Sequence, residues 1–168
     1  PSRAFTLIEV LVVISIIAVL AAMVTTLAGS VAEKRKRSVV EMEKNQLLTV
    51  IDHYKEKVGS YPPDNPASIA APPLFYELAG TRPTNNTYVT LSGNVRVTVA
   101  SVTASFGLPG FANAVPGEAK NFFPNIRPAQ HREVQNGLGE KVEFLVTPVD
   151  GPNPVIAADG QPASVWAA

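Results

Sequence analysis

An apolar run near the start of the chain constrains its fold more than any other feature. Residues 5–28 carry no charge except that of Glu9, and no proline occurs from residue 5 to residue 58. Because proline breaks helices, its absence predicts one continuous helix over residues 5–58. The first 24 residues or so of that helix would rise roughly 36 Å, enough to cross a hydrocarbon core about 30 Å thick.

Glu9 is the only charged residue of this run and lies about one turn inside it. A carboxylate within a bilayer costs at least a few kcal/mol, so such an acid usually has a partner and a function. The alternative is a side chain near the membrane interface that reaches water and has no role. Composition alone does not choose between the two interpretations.

The residues around Glu9 resemble the N-terminal signature of type IV pilins and of the pseudopilins of type II secretion. The matching sequence is Ala-Phe-Thr-Leu-Ile-Glu at residues 4–9, followed by an apolar stretch. The resemblance implies that a prepilin peptidase cuts between Ala4 and Phe5 on the cytoplasmic side, and that the new N-terminus at Phe5 is methylated. It also implies that Glu9 pairs with the N-terminal amine of a neighbouring subunit during filament assembly.

Two features depart from this signature. The residue before the cut is most often Gly, whereas here it is Ala4, and only a residual leader, residues 1–4, precedes Phe5. The charges around the run also conflict with the resemblance. The basic residues 34–37 follow the run, and the positive-inside tendency would place them in the cytoplasm, although the resemblance implies that they lie outside. We give the specific motif more weight than the charge count.

The second half of the predicted helix, residues 30–59, is amphipathic. Its apolar side chains recur at helical steps and predict one face packed against a globular domain; they are Val40, Leu47, Ile51, Tyr54 and Val58. Gly59 and the prolines at 62 and 63 predict that the helix ends at residue 58.

Most of the 15 prolines and 11 glycines lie in residues 60–168, which indicates many turns and few long elements. We therefore predict a β-rich head domain there. The predicted fold is α+β and type IV pilin-like: a long N-terminal helix, transmembrane over residues 5–29 and then amphipathic, packed on a small antiparallel β-sheet domain. The predicted elements of the head are an αβ-loop over residues 60–83 with a helical turn at 74–78, strands at 88–91, 94–105, 141–149 and 164–168, and an irregular segment over 106–136 anchored by Phe111, Phe122, Phe123 and Ile126.

Composition argues against several classes of function. The chain has 14 basic and 14 acidic residues, whereas a nucleic-acid binder would show a basic surplus, so no nucleic-acid partner is predicted. It has no cysteine, which excludes disulfides and thiolate sites. His53 and His131 fall on different elements, and no nucleotide-binding or catalytic motif accompanies them. We therefore do not predict an enzyme.

Asp150 and Asp159 are weak candidates for a calcium site. The resemblance to major pseudopilins implies such a site in the C-terminal loops, and calcium prefers hard oxygen ligands. Each aspartate is followed by glycine, however, and Asp-Gly is a common turn sequence. We favour the turn interpretation and predict no cofactor.

The resemblance implies a structural subunit that polymerises through its apolar helix into a type IV pilus-like filament. Its implied partners are copies of itself, a prepilin peptidase, an assembly ATPase with its platform protein, minor pilins, and the membrane before assembly. Its implied location is the bacterial inner membrane and then an extracellular filament or a periplasmic pseudopilus. Motility, adhesion, DNA uptake and secretion stay open as roles of the filament.

Two alternatives to the pilus subunit stay open. A type II secretion pseudopilin acting in the periplasm is favoured by the absence of cysteine and by the Tyr-Pro-Pro sequence at residues 61–63. A plain single-pass membrane binding module would show neither processing nor a polymer.

Overall fold

One long helix connects two compact units of the chain. The computed structural model describes residues 6–68, 71–147 and 154–166, with the backbone alone at residues 24–30 and 154. The units are Pro1–Glu41 and Met42–Ala168. Helix α1 runs over Leu7–Val58 and belongs to both. At its end the Gly59 N–H donates to the Lys55 carbonyl at 2.9 Å, so the predicted helix and its end are confirmed from Leu7 onward.

The first unit is helical from Leu7 throughout its described residues. Among the described residues, no helix combines the length and the apolar character that crossing a membrane requires. The transmembrane helix predicted over residues 5–29 is therefore not confirmed.

The described residues of the second unit form two antiparallel sheets, which confirms the predicted α+β class. The first sheet has the order β1-β2-β3, with β1 at Thr81–Thr84, β2 at Thr87–Thr90 and β3 at Arg96–Thr98. The second has the order β4-β5-β7-β6, with β4 at His131–Gln135, β5 at Lys141–Thr147, β6 at Pro154–Ile156 and β7 at Pro162–Val165. The remaining elements are α2 at Leu74–Ala79, α3 at Val99–Phe106, and 3-10 turns at Ala112–Ala114 and Pro128–Gln130.

Several predicted elements of the head are confirmed. The helical turn at residues 74–78 is α2, the strand at 88–91 is β2, and the strand at 141–149 is β5 as far as Thr147. Residues 148 and 149 lie outside the described residues. The last predicted strand, residues 164–168, is confirmed only at its first two residues, because β7 runs over Pro162–Val165. Residues 167 and 168 lie outside the described residues.

The prediction of a strand over residues 94–105 is wrong beyond Thr98, where β3 ends and α3 begins. The Thr98 hydroxyl accepts the backbone N–H of Ser101 at 3.0 Å and so caps the first turn of the helix. Val102 and Phe106 lie four residues apart and are fully buried, which is a helical spacing. The β-branched residues of this segment had favoured a strand, but the cap and the burial pattern override that preference.

Three strands were missed: β1 begins within the predicted loop 60–83, β4 lies within the predicted irregular segment 106–136, and β6 was not predicted at all. All three lie at sheet edges. An edge strand tolerates the proline at position 83, because backbone groups on its outer side need no partner within the sheet. β1 and β4 are mostly polar and β6 has only three residues, so these strands carry little signal, and pairing with β2, β5 and β7 sets their conformation.

Aromatic rings dominate the core of the second unit. Tyr76 of α2 stacks on Phe111 with ring centroids 4.8 Å apart, and Phe106 of α3 meets Phe144 of β5 at 5.5 Å. The predicted anchors Phe111, Phe122 and Phe123 are buried, and Ile126 is partly buried against the same cluster. From α1, Leu47 and Tyr54 enter this core, Val40 and Ile51 are half-buried, and Val58 is exposed, so the predicted apolar face is confirmed in part.

Gly80 joins α2 to β1 in a conformation that other residues resist, with φ of +67°. A Cβ atom there would also clash with the backbone carbonyl of Lys120. We expect Gly80→Ala to lower the free energy of unfolding by about 2–5 kcal/mol, since left-handed strain costs about 1–2 kcal/mol and overpacking about 1–3 kcal/mol. Gly93→Ala is the matched control, because Gly93 has φ of +78° and open space around it. Equal losses for the two variants in urea unfolding would contradict the predicted clash.

Candidate functional site

The N-terminal part of α1 exposes apolar side chains in every direction. We call residues 7–23 the apolar arm. Every side chain of this arm is exposed, and its large apolar side chains have exposed fractions between 49% and 84%. A helix that is apolar all round is normally found buried. The apolar arm is therefore a surface that needs a covering partner.

Glu9 holds the first turn of this helix. Its Oε2 accepts the hydroxyl of Thr6 at 2.7 Å and the backbone N–H of Thr6 at 2.8 Å. The N–H of Glu9 in turn reaches the Thr6 hydroxyl at 3.4 Å. This reciprocal arrangement is a capping box, in which a Thr and a Glu three residues later satisfy each other's free backbone donors. The Thr-Leu-Ile-Glu sequence at residues 6–9 carries the signal for this capping box.

The other predicted residues of the N-terminal site, Ala4 and Phe5, lie outside the described residues. Their roles in cleavage and methylation stay predictions, as does the assembly role of Glu9. The capping box gives Glu9 a second role, within its own subunit, because a negative charge at a helix N-terminus also interacts favourably with the helix dipole. Any test of the assembly role must separate it from this capping role.

Asp159 takes part in a turn. Its Oδ1 accepts the backbone N–H of Gln161 at 3.0 Å, between β6 and β7. Asp150 lies outside the described residues. Among the residues that are described, no group of three or more histidine or acidic side chains could hold a metal ion. The hydrogen bond supports the turn interpretation for Asp159.

A buried carboxylate in the second unit was missed by the sequence analysis. Glu77 of α2 is fully buried. Its Oε1 accepts the backbone N–H of Ala112 at 2.7 Å, and its Oε2 accepts the N–H of Asn113 at 2.9 Å and the Tyr54 hydroxyl at 2.8 Å. The Asn113 amide also donates to the carbonyl of Glu77 and to that of Lys120, each at 2.7 Å. This Glu77 network ties α1, α2 and the segment after α3 together.

A second buried acid, Glu43, lies on α1 and is 5% exposed. Its Oε1 pairs with Arg127 at 3.0 Å, whereas its buried Oε2 has no partner among the described residues. Burial raises the pKa of Glu43, and the Arg127 charge opposes that rise. Burial likewise raises the pKa of Glu77, and the backbone donors of Asn113 and Ala112 and the Tyr54 hydroxyl oppose it. Both acids therefore hold a proton more readily in the folded state.

These raised pKa values predict a pH dependence of stability. Between the ordinary pKa of 4.5 and the raised folded pKa, the folded state binds more protons than the unfolded state, so the contribution of each acid to stability falls as the pH rises. Glu77→Gln and Glu43→Gln remove the titration. We expect the stability of the native chain relative to each variant to decrease from about pH 4.5 towards neutrality. Melting temperatures that differ by a constant amount over this range would contradict the prediction.

The second unit also has an apolar surface groove of about 440 Å³. Leu47, Leu48 and Ile51 of α1 line one side of it, and Tyr61 and Trp166 line it as well. Trp166 is the single tryptophan of the chain and is partly buried against the core. The groove therefore places a unique aromatic side chain beside α1.

Comparison with known proteins finds a family match for the first 25 residues of the chain. Residues 1–25 match the family model described as the prokaryotic N-terminal methylation motif, the prepilin-type signature of type IV pilins and pseudopilins. The resemblance found in the sequence is confirmed for this segment. No curated protein and no solved structure matches the chain.

Proposed function

We propose that this chain, whose first 25 residues carry the prepilin-type signature, is a structural subunit that polymerises into a type IV pilus-like filament. The observation that carries the proposal is the apolar arm, exposed on all sides in the single subunit. Arms of several copies packed together would remove these side chains from water.

The energy available from covering the arm supports association. Moving one large aliphatic side chain from water to an apolar environment contributes about 1.5–3 kcal/mol. The apolar side chains of the arm together therefore exceed the roughly 4–15 kcal/mol that association costs in lost freedom of motion. Before assembly the arm needs another apolar environment, and we propose the inner membrane for that stage. Assembly then exchanges lipid contacts for protein contacts, so the packing of the arms and their polar contacts determine how neighbouring subunits align.

We propose that Glu9 makes the polar contact that aligns neighbouring subunits. In a bundle of apolar arms its carboxylate would be the charge most in need of a counter-ion, because an unpaired buried charge is strongly destabilising. The N-terminal amine of Phe5 on a neighbouring copy is a suitable partner once a prepilin peptidase has cut after Ala4. An assembly ATPase with its platform protein and minor pilins complete the proposed set of partners.

Intact mass and N-terminal sequencing of the protein from its native membrane or shed material test the proposal. We expect a start at methylated Phe5. A start at Pro1 or further upstream in assembled material, without a methyl group, would contradict the pilin pathway. Electron microscopy of the same sample then shows whether filaments are present.

The second candidate function is that of a periplasmic pseudopilin in type II secretion. It is favoured by the absence of cysteine and by the Tyr-Pro-Pro sequence that follows α1, in which Tyr61 is 55% exposed. Filaments on the surface of cells at native expression would favour the pilus. A processed protein that remains periplasmic, and whose loss blocks secretion, would favour the pseudopilus. If the protein is neither processed nor assembled into a polymer, the plain single-pass membrane binding module is favoured.

A further inference from the structure

Two arginines lie in one row of the three-stranded sheet. Arg82 of β1 pairs with Val89 of β2, and Val89 pairs with Arg96 of β3. Directly paired residues of antiparallel strands project from the same face. The neighbouring row, Pro83, Tyr88 and Val97, projects from the opposite face, and Tyr88 and Val97 pack on the core. The two arginines therefore lie on the face away from the core and flank a common apolar residue.

This face lines a surface cleft. Arg82, Val89 and Arg96 line a space of about 410 Å³ together with Pro116 and Gly117. The volume is within the range of small-molecule sites. Val89 forms an apolar floor that is only 8% exposed. Two arginine side chains, both exposed to solvent, therefore border this cleft.

Among the residues that the structure describes, no acidic side chain balances the charge of this cleft. No acidic residue lines it, and among the described residues neither arginine has an ion-pair partner. The chain as a whole has no net charge, so this excess of positive charge is local. Neighbouring strands are about 4.8 Å apart, which places the two arginine backbones roughly 10 Å from each other. Both side chains are long enough to meet one anion above Val89.

We propose that this cleft is a binding site for a phosphate group, carried by inorganic phosphate, pyrophosphate or a small phosphate ester. The number of oxygen atoms favours a phosphate group over a single carboxylate. Each guanidinium presents a planar fork that pairs with two oxygens, so two forks need more oxygens than one carboxylate has. A phosphate group has three or four terminal oxygens, so it can accept from both forks when one oxygen is shared. The proposal concerns the second unit alone and does not depend on filament formation.

Isothermal titration of the full chain in a non-ionic detergent, with pyrophosphate and with inorganic phosphate, tests this proposal. We expect binding that weakens with added salt, and a loss of about tenfold to a hundredfold for Arg82→Gln and for Arg96→Gln, as for other charge-assisted hydrogen bonds. Glutamine keeps part of the stem over Val89, so the fold should persist, with unchanged melting temperature. The double variant should show no binding.

Arg132→Gln is the matched control, because Arg132 lies on β4 in the other sheet and donates only to the backbone carbonyls of Pro128 and His131 in the described structure. We expect it to bind like the native chain. Three results would overturn the proposal: no binding of either phosphate probe by the native chain, binding by the double variant equal to that of the native chain, or acetate bound as tightly as phosphate.

Discussion

Replacing Glu9 with alanine should reduce the yield of filaments to background while the amount of protein in the cell stays normal. The substitution removes the proposed counter-ion of the neighbouring N-terminal amine and also the capping box with Thr6. Glu9→Gln separates these two effects, because glutamine also serves at this position of a capping box but carries no charge. We expect Glu9→Gln to be as defective as Glu9→Ala. The measurement is the mass of filaments sheared from cells, with electron microscopy of the same fraction.

The reciprocal variant is Thr6→Ala, which removes the cap and keeps the charge. It should still assemble, at reduced yield, because the first turn of α1 is less well held. Ser15→Ala is a control from the same apolar arm, since the Ser15 hydroxyl donates only to the Leu11 carbonyl of its own helix in the described structure. Normal assembly of Glu9→Gln, together with a defect in Thr6→Ala, would show that Glu9 acts through the cap and would refute the proposed charge pair.

Replacing Glu77 with alanine should destabilise the second unit by about 2–6 kcal/mol, because the Tyr54 hydroxyl and the Asn113 N–H are buried donors that each cost about 1–3 kcal/mol when left unpaired. The Tyr54 hydroxyl and the backbone N–H groups of Ala112 and Asn113 would all lose their acceptor. A whole domain is stable by only about 5–15 kcal/mol, so such a loss is large. Urea unfolding of the full chain in detergent, followed by near-ultraviolet circular dichroism, measures the change.

Three further variants make the test of the Glu77 network specific. Tyr54→Phe removes one hydrogen-bond donor and should lower the free energy of unfolding by about 0.5–1.5 kcal/mol. Glu77→Gln turns one acceptor into a donor that faces a backbone N–H. Its loss of unfolding free energy should therefore fall between the losses for Tyr54→Phe and Glu77→Ala. Glu118→Ala, at an exposed acid, should change stability by less than about 0.5 kcal/mol. A Glu77→Ala variant as stable as Glu118→Ala would refute the network's contribution.

Elements whose ends are set by neighbouring residues could be predicted from the sequence. The length of α1 follows from the absence of proline and from Gly59, and both are visible without a structure. The cap at Thr98 was equally local, but β-branched residues on either side of it favoured a strand. The edge strands β1 and β4 have little signal of their own, because pairing with β2 and β5 determines them.

The candidate sites differ in the same way. Glu9 could be identified because its neighbours in the sequence form a specific motif. Glu77 could not, because its partners Tyr54 and Asn113 are 23 and 36 residues away, and two of its three donors are backbone N–H groups that any residue has. Arg82 and Arg96 come together only through the register of two consecutive hairpins. Sites built from distant or backbone groups therefore require the folded chain.

Trp166 gives this protein a built-in optical probe. It is the single tryptophan, it lines the apolar groove beside α1, and its neighbours there include Leu47, Ile51 and Tyr61. Ultraviolet light near the red edge of protein absorption will therefore excite one defined position. The emission should shift to shorter wavelength and resist quenching by iodide when a ligand or another subunit fills the groove, because the indole then loses contact with water. Occupation of that surface can thus be followed in unlabelled protein, in real time.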